Sequence, residues 1–175
     1  SNQSNPVARL ILRGLHSMTG TDDRELIVKD PGGREADEMR AVRALANSGV
    51  EGVVVVTCFA FDSTQGVAFY EEMNRRLPVV LCDCVLRGDV PSVATDNVRG
   101  GEAAGRHLAD AGRKKGTYVI ARGAARFSSQ EERVRGCADA LRARAAEVRI
   151  VELPTASPDQ KEAFVRELAR GGSSK

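Results

Sequence analysis

Residues 52–57 read Gly-Val-Val-Val-Val-Thr, a run in which four valines follow one another without any polar alternation. A strand with one face in water alternates apolar and polar residues, whereas a parallel strand covered by helices on both faces is apolar throughout. Similar short runs recur along the chain, separated by segments of helical period. This alternation predicts an α/β fold with a doubly wound parallel sheet.

Five segments are predicted as strands because aliphatic and β-branched residues are concentrated in them. They are residues 25–29, 52–57, 78–82, 117–121 and 148–153. The segments between them carry one apolar stripe each, and the longest such stripe comprises Val134, Cys137, Ala138, Leu141 and Ala145. Helices are therefore expected between the strands.

Capping residues mark three helix starts. Ser129 followed by Glu132 fits a capping box, and residues 157–160 (Ser-Pro-Asp-Gln) fit a start with proline at the first helical position. Asp96-Asn97 is a predicted N-cap for the segment containing Gly100, Gly101 and Gly105. These glycines lack the dinucleotide-binding spacing, so we interpret them as sites of close helix packing.

Composition is that of an ordinary folded protein, with 29% charged and 42% apolar residues in 175. The net charge of +2 is small and the arginines form no basic run, so this chain is not expected to bind DNA by itself. The four cysteines match no zinc pattern, and no metal or cofactor is expected. No apolar run approaches the ~20 residues that cross a bilayer, so a reduced cytoplasmic setting is expected and no membrane partner.

The two ends suggest that the chain is part of a longer fold. An apolar helical segment at residues 7–15 has no strand before it, and the last helical segment leads into Gly171-Gly172-Ser173-Ser174-Lys175. We expect an approximately complete N-terminal α/β lobe at residues 1–121. A second lobe is expected to begin at residue 122 and to be incomplete within 122–175.

Ligands of open parallel sheets bind off the carboxyl ends of the strands, so the loops that follow the strands are the candidate site. These loops are residues 58–63, 83–87 and 122–129, joined by the turn at Asn5 if a strand precedes it. They combine a carboxylate, guanidinium groups, hydroxyls and aromatic rings, which suit a polyhydroxylated ligand. The candidate residues are Asp83, Asn5, Phe59, Phe61, Phe127 and Ser128, although each phenylalanine could equally be core.

Catalytic machinery is not evident in the sequence. It contains no nucleophile elbow, no phosphate-binding loop ending in Lys-Ser/Thr, and no histidine next to a plausible nucleophile. We therefore expect a binding protein and not an enzyme.

An ordered series of short motifs resembles the effector-binding part of LacI-type transcription regulators. The series comprises Leu77-Pro78-Val79-Val80, Asp83, Val90-Pro91-Ser92-Val93, Asp96-Asn97, Gly100-Gly101, His107-Leu108, Ala111-Gly112-Arg113-Lys114, Ser128-Ser129, Glu132-Arg133 and Gly136. Asn5-Pro6, Leu12-Arg13-Gly14 and residues 49–53 extend the match upstream. The resemblance implies a periplasmic-binding-protein-like fold whose two lobes close on a small effector.

By this resemblance, Asp83 and Arg133 bind the effector from opposite lobes. The effector would be a sugar, sugar acid or nucleoside, the protein a homodimer, and DNA the partner of a headpiece absent from this sequence. Val7 and Ala8 stand where the family commonly has aromatic residues, and Cys84 stands where arginine often follows the aspartate. These departures suggest a ligand unlike the commonest sugars.

Two other functions stay open. A periplasmic sugar-binding protein of an ABC transporter shares the fold and the strand-end aspartate, and would be distinguished by a secretion signal in place of a DNA-binding headpiece. A small α/β enzyme would require catalytic groups that the sequence does not show.

Overall fold

The computed structural model describes residues 6–19, 24–112, 117–144, 146–154 and 157–171. Within these ranges, helices and short parallel strands alternate along the chain. In order, the elements are α1 (Pro6–Thr19), α2 (Glu35–Asn47), β1 (Val53–Val55), α3 (Thr64–Asn74), β2 (Val79–Cys82), β3 (Ser92–Val93), α4 (Asn97–Ala111), β4 (Thr117–Arg122), α5 (Ser128–Arg142), β5 (Glu147–Glu152) and α6 (Pro158–Gly171). This is the predicted periplasmic-binding-protein-like α/β fold with parallel sheets.

The chain forms two compact units, Ser1–Val93 and Ala94–Lys175, called unit 1 and unit 2 below. Unit 1 contains the parallel sheet β1-β2-β3, and unit 2 contains the parallel pair β4-β5. The predicted first lobe includes α4 and β4, whereas these elements pack here with α5 and β5. The boundary expected at residues 121–122 concerns the lobes of a longer protein and stays a prediction.

The core of unit 1 is built on β1 and β2, with Val53 opposite Val79 and Val55 opposite Leu81. α2, α3 and the loops that follow β1 and β2 supply the remaining buried side chains. The buried cluster comprises Val42, Val53, Val55, Phe59, Phe69, Tyr70, Met73, Val79, Leu81, Leu86 and Val90. This cluster fixes the carboxyl ends of β1 and β2, from which the candidate loops leave.

Two predictions about the strands of unit 1 are wrong. Residues 25–29 form no strand, because no described strand lies alongside to supply the ladder hydrogen bonds. Val54 is 45% exposed, so the valine strand is not covered on both faces by the described residues. β3 was not predicted, since two residues are too few to show a period.

Unit 2 is organised by a close approach of α4 and α5. A Cβ added to Gly101 would collide with the carbonyl oxygen of Arg133, and one added to Gly136 would collide with that of Val98. At Gly105 it would lie 2.6 Å from the Cys137 carbonyl oxygen, whereas at Gly100 it would meet nothing. Close helix packing is thus confirmed for Gly101 and Gly105 but not for Gly100.

Two of the three predicted helix starts are confirmed. The Asp96 side chain accepts a hydrogen bond from the Arg99 amide at 2.9 Å. Before α6, the Gln160 amide donates to the Ser157 hydroxyl at 3.4 Å while the Ser157 amide donates to the Gln160 side chain at 3.0 Å. The capping box at Ser129 is wrong, because the N-cap of α5 is Phe127, two residues earlier, and its side chain makes no capping hydrogen bond.

Candidate ligand-binding site

The aspartate that ends β2 has an unusual backbone conformation. Asp83 has a φ of 70°, and the Cys84 amide donates to the Cys82 carbonyl across it at 2.9 Å. This is a γ-turn with a positive central φ, a strained conformation that persists where the surrounding structure holds it in place. No described donor reaches the half-buried carboxylate, while the Asp83 amide is tied to the Val93 carbonyl at 2.9 Å. The strand ladder therefore presents an unpartnered carboxylate at the carboxyl end of the sheet.

A stacked pair joins the loops that follow β1 and β2. The Arg87 guanidinium carbon lies 5.4 Å from the centre of the Phe61 ring, and the Arg87 amide donates to the Phe61 carbonyl at 2.9 Å. No carboxylate among the described residues pairs with this guanidinium. A cation stacked on a ring keeps its N–H edge available for hydrogen bonding, which suits hydroxyls or an anionic group.

Phe59 and Phe61 were interchangeable candidates in the sequence, and the structure separates them. Phe59 is 1% exposed and packs edge-on against Tyr70, with ring centres 6.2 Å apart. Phe61 is only half-buried and lies under Arg87. As folded here, Phe59 is a core side chain, and only Phe61 has a ring surface within reach of a ligand.

A buried carboxylate that the sequence analysis missed sits behind these loops. Glu38, on α2, is 2% exposed and accepts hydrogen bonds from the Thr57 hydroxyl at 2.6 Å, the Cys58 amide at 2.7 Å and the Tyr70 hydroxyl at 2.5 Å. Burial, followed by the hydrogen bond and charge of Glu38, raises the pKa of the Cys58 thiol to about 12. Burial and the same charge raise the pKa of Tyr70. Both groups are therefore protonated at neutral pH.

In unit 2 the predicted ligand arginine is held by a neighbour. Arg133 donates to the side-chain oxygen of Asn97 at 2.6 Å, and the Asn97 amide group donates to the Thr95 carbonyl at 2.9 Å. Asn97 is 3% exposed, so it is a fixed anchor for an exposed guanidinium. From sequence, Asn97 is predicted only as part of a helix cap, because Arg133, which it contacts, lies 36 positions away.

The start of α5 carries the other two unit 2 candidates. Phe127 is the half-buried N-cap residue, and Ser128 is 1% exposed, so its hydroxyl faces the interior. At the ends of β4 and β5, Arg122 pairs with Glu131 and, at 3.4 Å, with Glu152. Charges at this edge are thus largely neutralised, unlike the Arg133 guanidinium.

Asn5 lies outside the described residues. Among residues that are described, no group of three His, Cys, Asp or Glu side chains could hold a metal ion. None of the described helices is long and apolar enough to cross a membrane.

One cavity of unit 1 lies away from the candidate loops. It has a volume of about 730 Å³ and is lined by α1, α2, residues 24–31 and the edge of β1. Its lining is mainly aliphatic, and Glu38, the buried carboxylate there, already accepts hydrogen bonds from three donors of the protein. A polar ligand needs convergent hydrogen-bonding groups, so this cavity is not the better site for one.

The family model that matches residues 9–168 is described as periplasmic binding proteins and sugar binding domain of LacI family. No curated protein matches the chain.

Several solved structures have the same fold. The myo-inositol-binding protein of Caulobacter, bound to myo-inositol, gives a TM-score of 0.81 at 22% identity, over 97% of this chain and 58% of that one. The Cra transcriptional dual regulator from Pseudomonas putida, in complex with fructose 1-phosphate, gives a TM-score of 0.75 at 18% identity. The match covers 96% of this chain and 61% of that one. GanP, a glucose-galactose binding protein from Geobacillus stearothermophilus, gives a TM-score of 0.75 at 26% identity. The match covers 94% of this chain and 60% of that one. This chain therefore spans about three fifths of the length of these proteins.

Proposed function

The chain belongs to the family of periplasmic binding proteins and sugar-binding domains of the LacI family, and on that premise we propose that it is the effector-sensing part of a LacI-type DNA-binding transcription regulator. Its ligand is a small polar molecule, either a sugar or a sugar-like compound such as a sugar acid or nucleoside. The full-length protein acts as a cytoplasmic homodimer that binds DNA through a headpiece outside this sequence. It is not an enzyme.

The observation that carries this proposal is the strained, unpartnered Asp83 at the carboxyl end of β2. A positive φ at a non-glycine residue costs on the order of 1–3 kcal/mol and is retained mostly where function requires it. A carboxylate in this position accepts hydrogen bonds from sugar hydroxyls, and the Phe61–Arg87 pair beside it offers a ring and further donors.

Arg133 is the second proposed ligand residue. Its attachment to buried Asn97 keeps the guanidinium ordered before a ligand arrives, which lowers the entropic cost of binding. That one ligand contacts both Asp83 and Arg133 stays a prediction from the family resemblance.

Effector binding would control DNA affinity by favouring one of two protein arrangements. A ligand shifts such an equilibrium only by its difference in affinity for the two states, and allosteric coupling is typically worth ~1–3 kcal/mol. We therefore expect a 5- to 150-fold change in operator affinity, roughly, at effector saturation. An unchanged affinity at saturation would refute the regulator proposal.

A thermal-shift screen of the full-length protein against sugars, sugar acids and nucleosides tests the ligand class. A ligand at 100 times its dissociation constant should stabilise the protein by about 2.7 kcal/mol. Asp83→Ala and Arg133→Ala should each abolish the shift. Arg135→Ala is the matched control, since Arg135 is another exposed arginine of α5 and should leave the shift intact.

The second candidate is the solute-binding protein of a sugar ABC transporter, which the similarity to solute-binding structures favours. It predicts the same ligand contacts but no ligand-dependent DNA binding. Cys58, Cys82 and Cys137 form no disulfide in the described part of the chain, which favours a reducing compartment and hence the regulator. Finding ligand binding without any DNA affinity in the full-length protein would reverse this preference.

A further inference from the structure

The buried carboxylate of Glu38 has no basic partner among the described residues, and its charge is compensated only by three hydrogen-bond donors. Burying an ionised carboxylate is costly, and an apolar side chain of similar size could fill such a site at lower cost. Two of the three donors, Thr57 and Cys58, belong to the segment that leaves β1 for the candidate loop. The carboxylate thus acts on the base of that loop.

From this base, hydrogen bonds and packing extend along the chain to Phe59, two residues before Phe61. The Thr57 hydroxyl, held by Glu38, accepts a hydrogen bond from the Phe59 amide at 3.2 Å. The Phe59 ring is wedged against Tyr70 and Gly66, where an added Cβ would lie 2.8 Å from the ring. Two residues further on, Phe61 meets Arg87 through its carbonyl and its ring. The direction of Phe61 is therefore set from both sides.

We propose that Glu38 is a positioning residue for the ligand site, which orients the Phe61–Arg87 pair by fixing three consecutive residues at the end of β1. This inference rests on the proposed function, because it assumes that the Phe61–Arg87 pair contacts the ligand. Glu38 itself touches no ligand.

Two substitutions separate positioning from general stabilisation. Glu38→Met keeps a side chain of similar size but cannot accept from the Thr57 hydroxyl or the Cys58 amide, so both loop bonds are lost. Tyr70→Phe removes one hydrogen bond from the same carboxylate while leaving both loop bonds in place. Both variants should lose stability, but only the first should release the loop.

The first readout is hydrogen exchange by mass spectrometry on the full-length protein. Exchange at the amides of residues 57–63 should be on the order of tenfold faster in Glu38→Met and unchanged in Tyr70→Phe. Should Glu38→Met not fold, Thr57→Val replaces it, because it removes the two hydroxyl-mediated bonds and preserves the side-chain shape. Equal exchange in the two variants would overturn the proposal.

The second readout is affinity by calorimetry, with myo-inositol, D-glucose and fructose 1-phosphate as probes. Glu38→Met should weaken the probe that wild type binds by on the order of tenfold, and Tyr70→Phe should leave its affinity unchanged. Equal weakening by both variants would show that Glu38 serves only stability. If wild type binds none of these three probes, the exchange comparison decides whether Glu38 positions the loop.

Discussion

The interior of unit 1 and the interior of unit 2 are stabilised by different kinds of contact. In unit 1 a continuous apolar cluster surrounds β1 and β2, and Tyr70, Met73 and Leu81 are completely buried. In the described part of unit 2 the buried apolar side chains are Ala138 and Leu141, and the main contact is the glycine-mediated approach of α4 to α5. Unit 1 should therefore be sensitive to lost side-chain volume, and unit 2 to added volume.

The largest expected effect is truncation of the Phe59 ring in unit 1. Phe59→Ala should lower the free energy of unfolding by about 3–5 kcal/mol, because it leaves a cavity beside Tyr70 and Gly66. Phe61→Ala is the control: its ring is half-buried, so it should cost far less stability but weaken ligand binding. Denaturant titration of the full-length protein measures both, and a small loss for Phe59→Ala would contradict its placement in the core.

Added volume tests unit 2. Gly136→Ala should destabilise the protein by about 1–3 kcal/mol, because the new methyl group collides with the Val98 carbonyl oxygen and pushes α5 away from α4. Gly100→Ala lies on the open side of α4 and should instead stabilise by about 0.5–1 kcal/mol through helix propensity. Thermal unfolding distinguishes the two. A neutral Gly136→Ala would mean that backbone contact does not hold unit 2 together.

The fold was predictable because its signals are local. The valine run, the strand at residues 117–122 and the residue 157–160 cap each depend on neighbours within a few positions. The strand predicted at residues 25–29 failed for the opposite reason, since a strand exists only with a partner alongside. β-propensity at a single segment cannot report that partner.

The site was predictable only in part. The strand-end rule selects Asp83, whose role in ligand binding stays a prediction. It could not select Glu38 and Asn97, since their contacts with Cys58 and Arg133 lie 20 and 36 positions away. Phe59 and Phe61 were not separable, because hydrophobic period identifies a buried face only within regular structure and both residues lie beyond β1. Long-range polar pairs leave no comparable pattern in one sequence.

Helix caps should not distinguish the units. Ser157 caps α6 in unit 2, and the Ser63 side chain caps α3 in unit 1 by accepting from the Gly66 amide at 3.1 Å. Each serine-to-alanine change should cost about 1 kcal/mol, since a cap depends on local geometry and not on the surrounding core. Chemical denaturation of the two variants provides the comparison. A cost several-fold larger in one unit would show that the cap there also supports tertiary packing.

The smallest stability effect should come from relieving the backbone strain in unit 1, and it bears most directly on function. Among the described residues, Asp83 is the only non-glycine residue with a positive φ, so the described part of unit 2 has no equivalent strained residue. Asp83→Gly should gain about 1 kcal/mol of stability, because glycine adopts this φ without penalty, although its greater chain entropy offsets part of the gain.

Asp83→Gly should also lose the ligand-dependent thermal shift. Asparagine tolerates the turn but lacks the charge, so Asp83→Asn should lose the shift at nearly unchanged stability. If Asp83→Gly gains stability and loses ligand binding, then Asp83 serves ligand binding and destabilises the fold. If Asp83→Gly is instead less stable than wild type, the carboxylate stabilises the turn, and the proposal that Asp83 is the ligand residue of unit 1 would be contradicted.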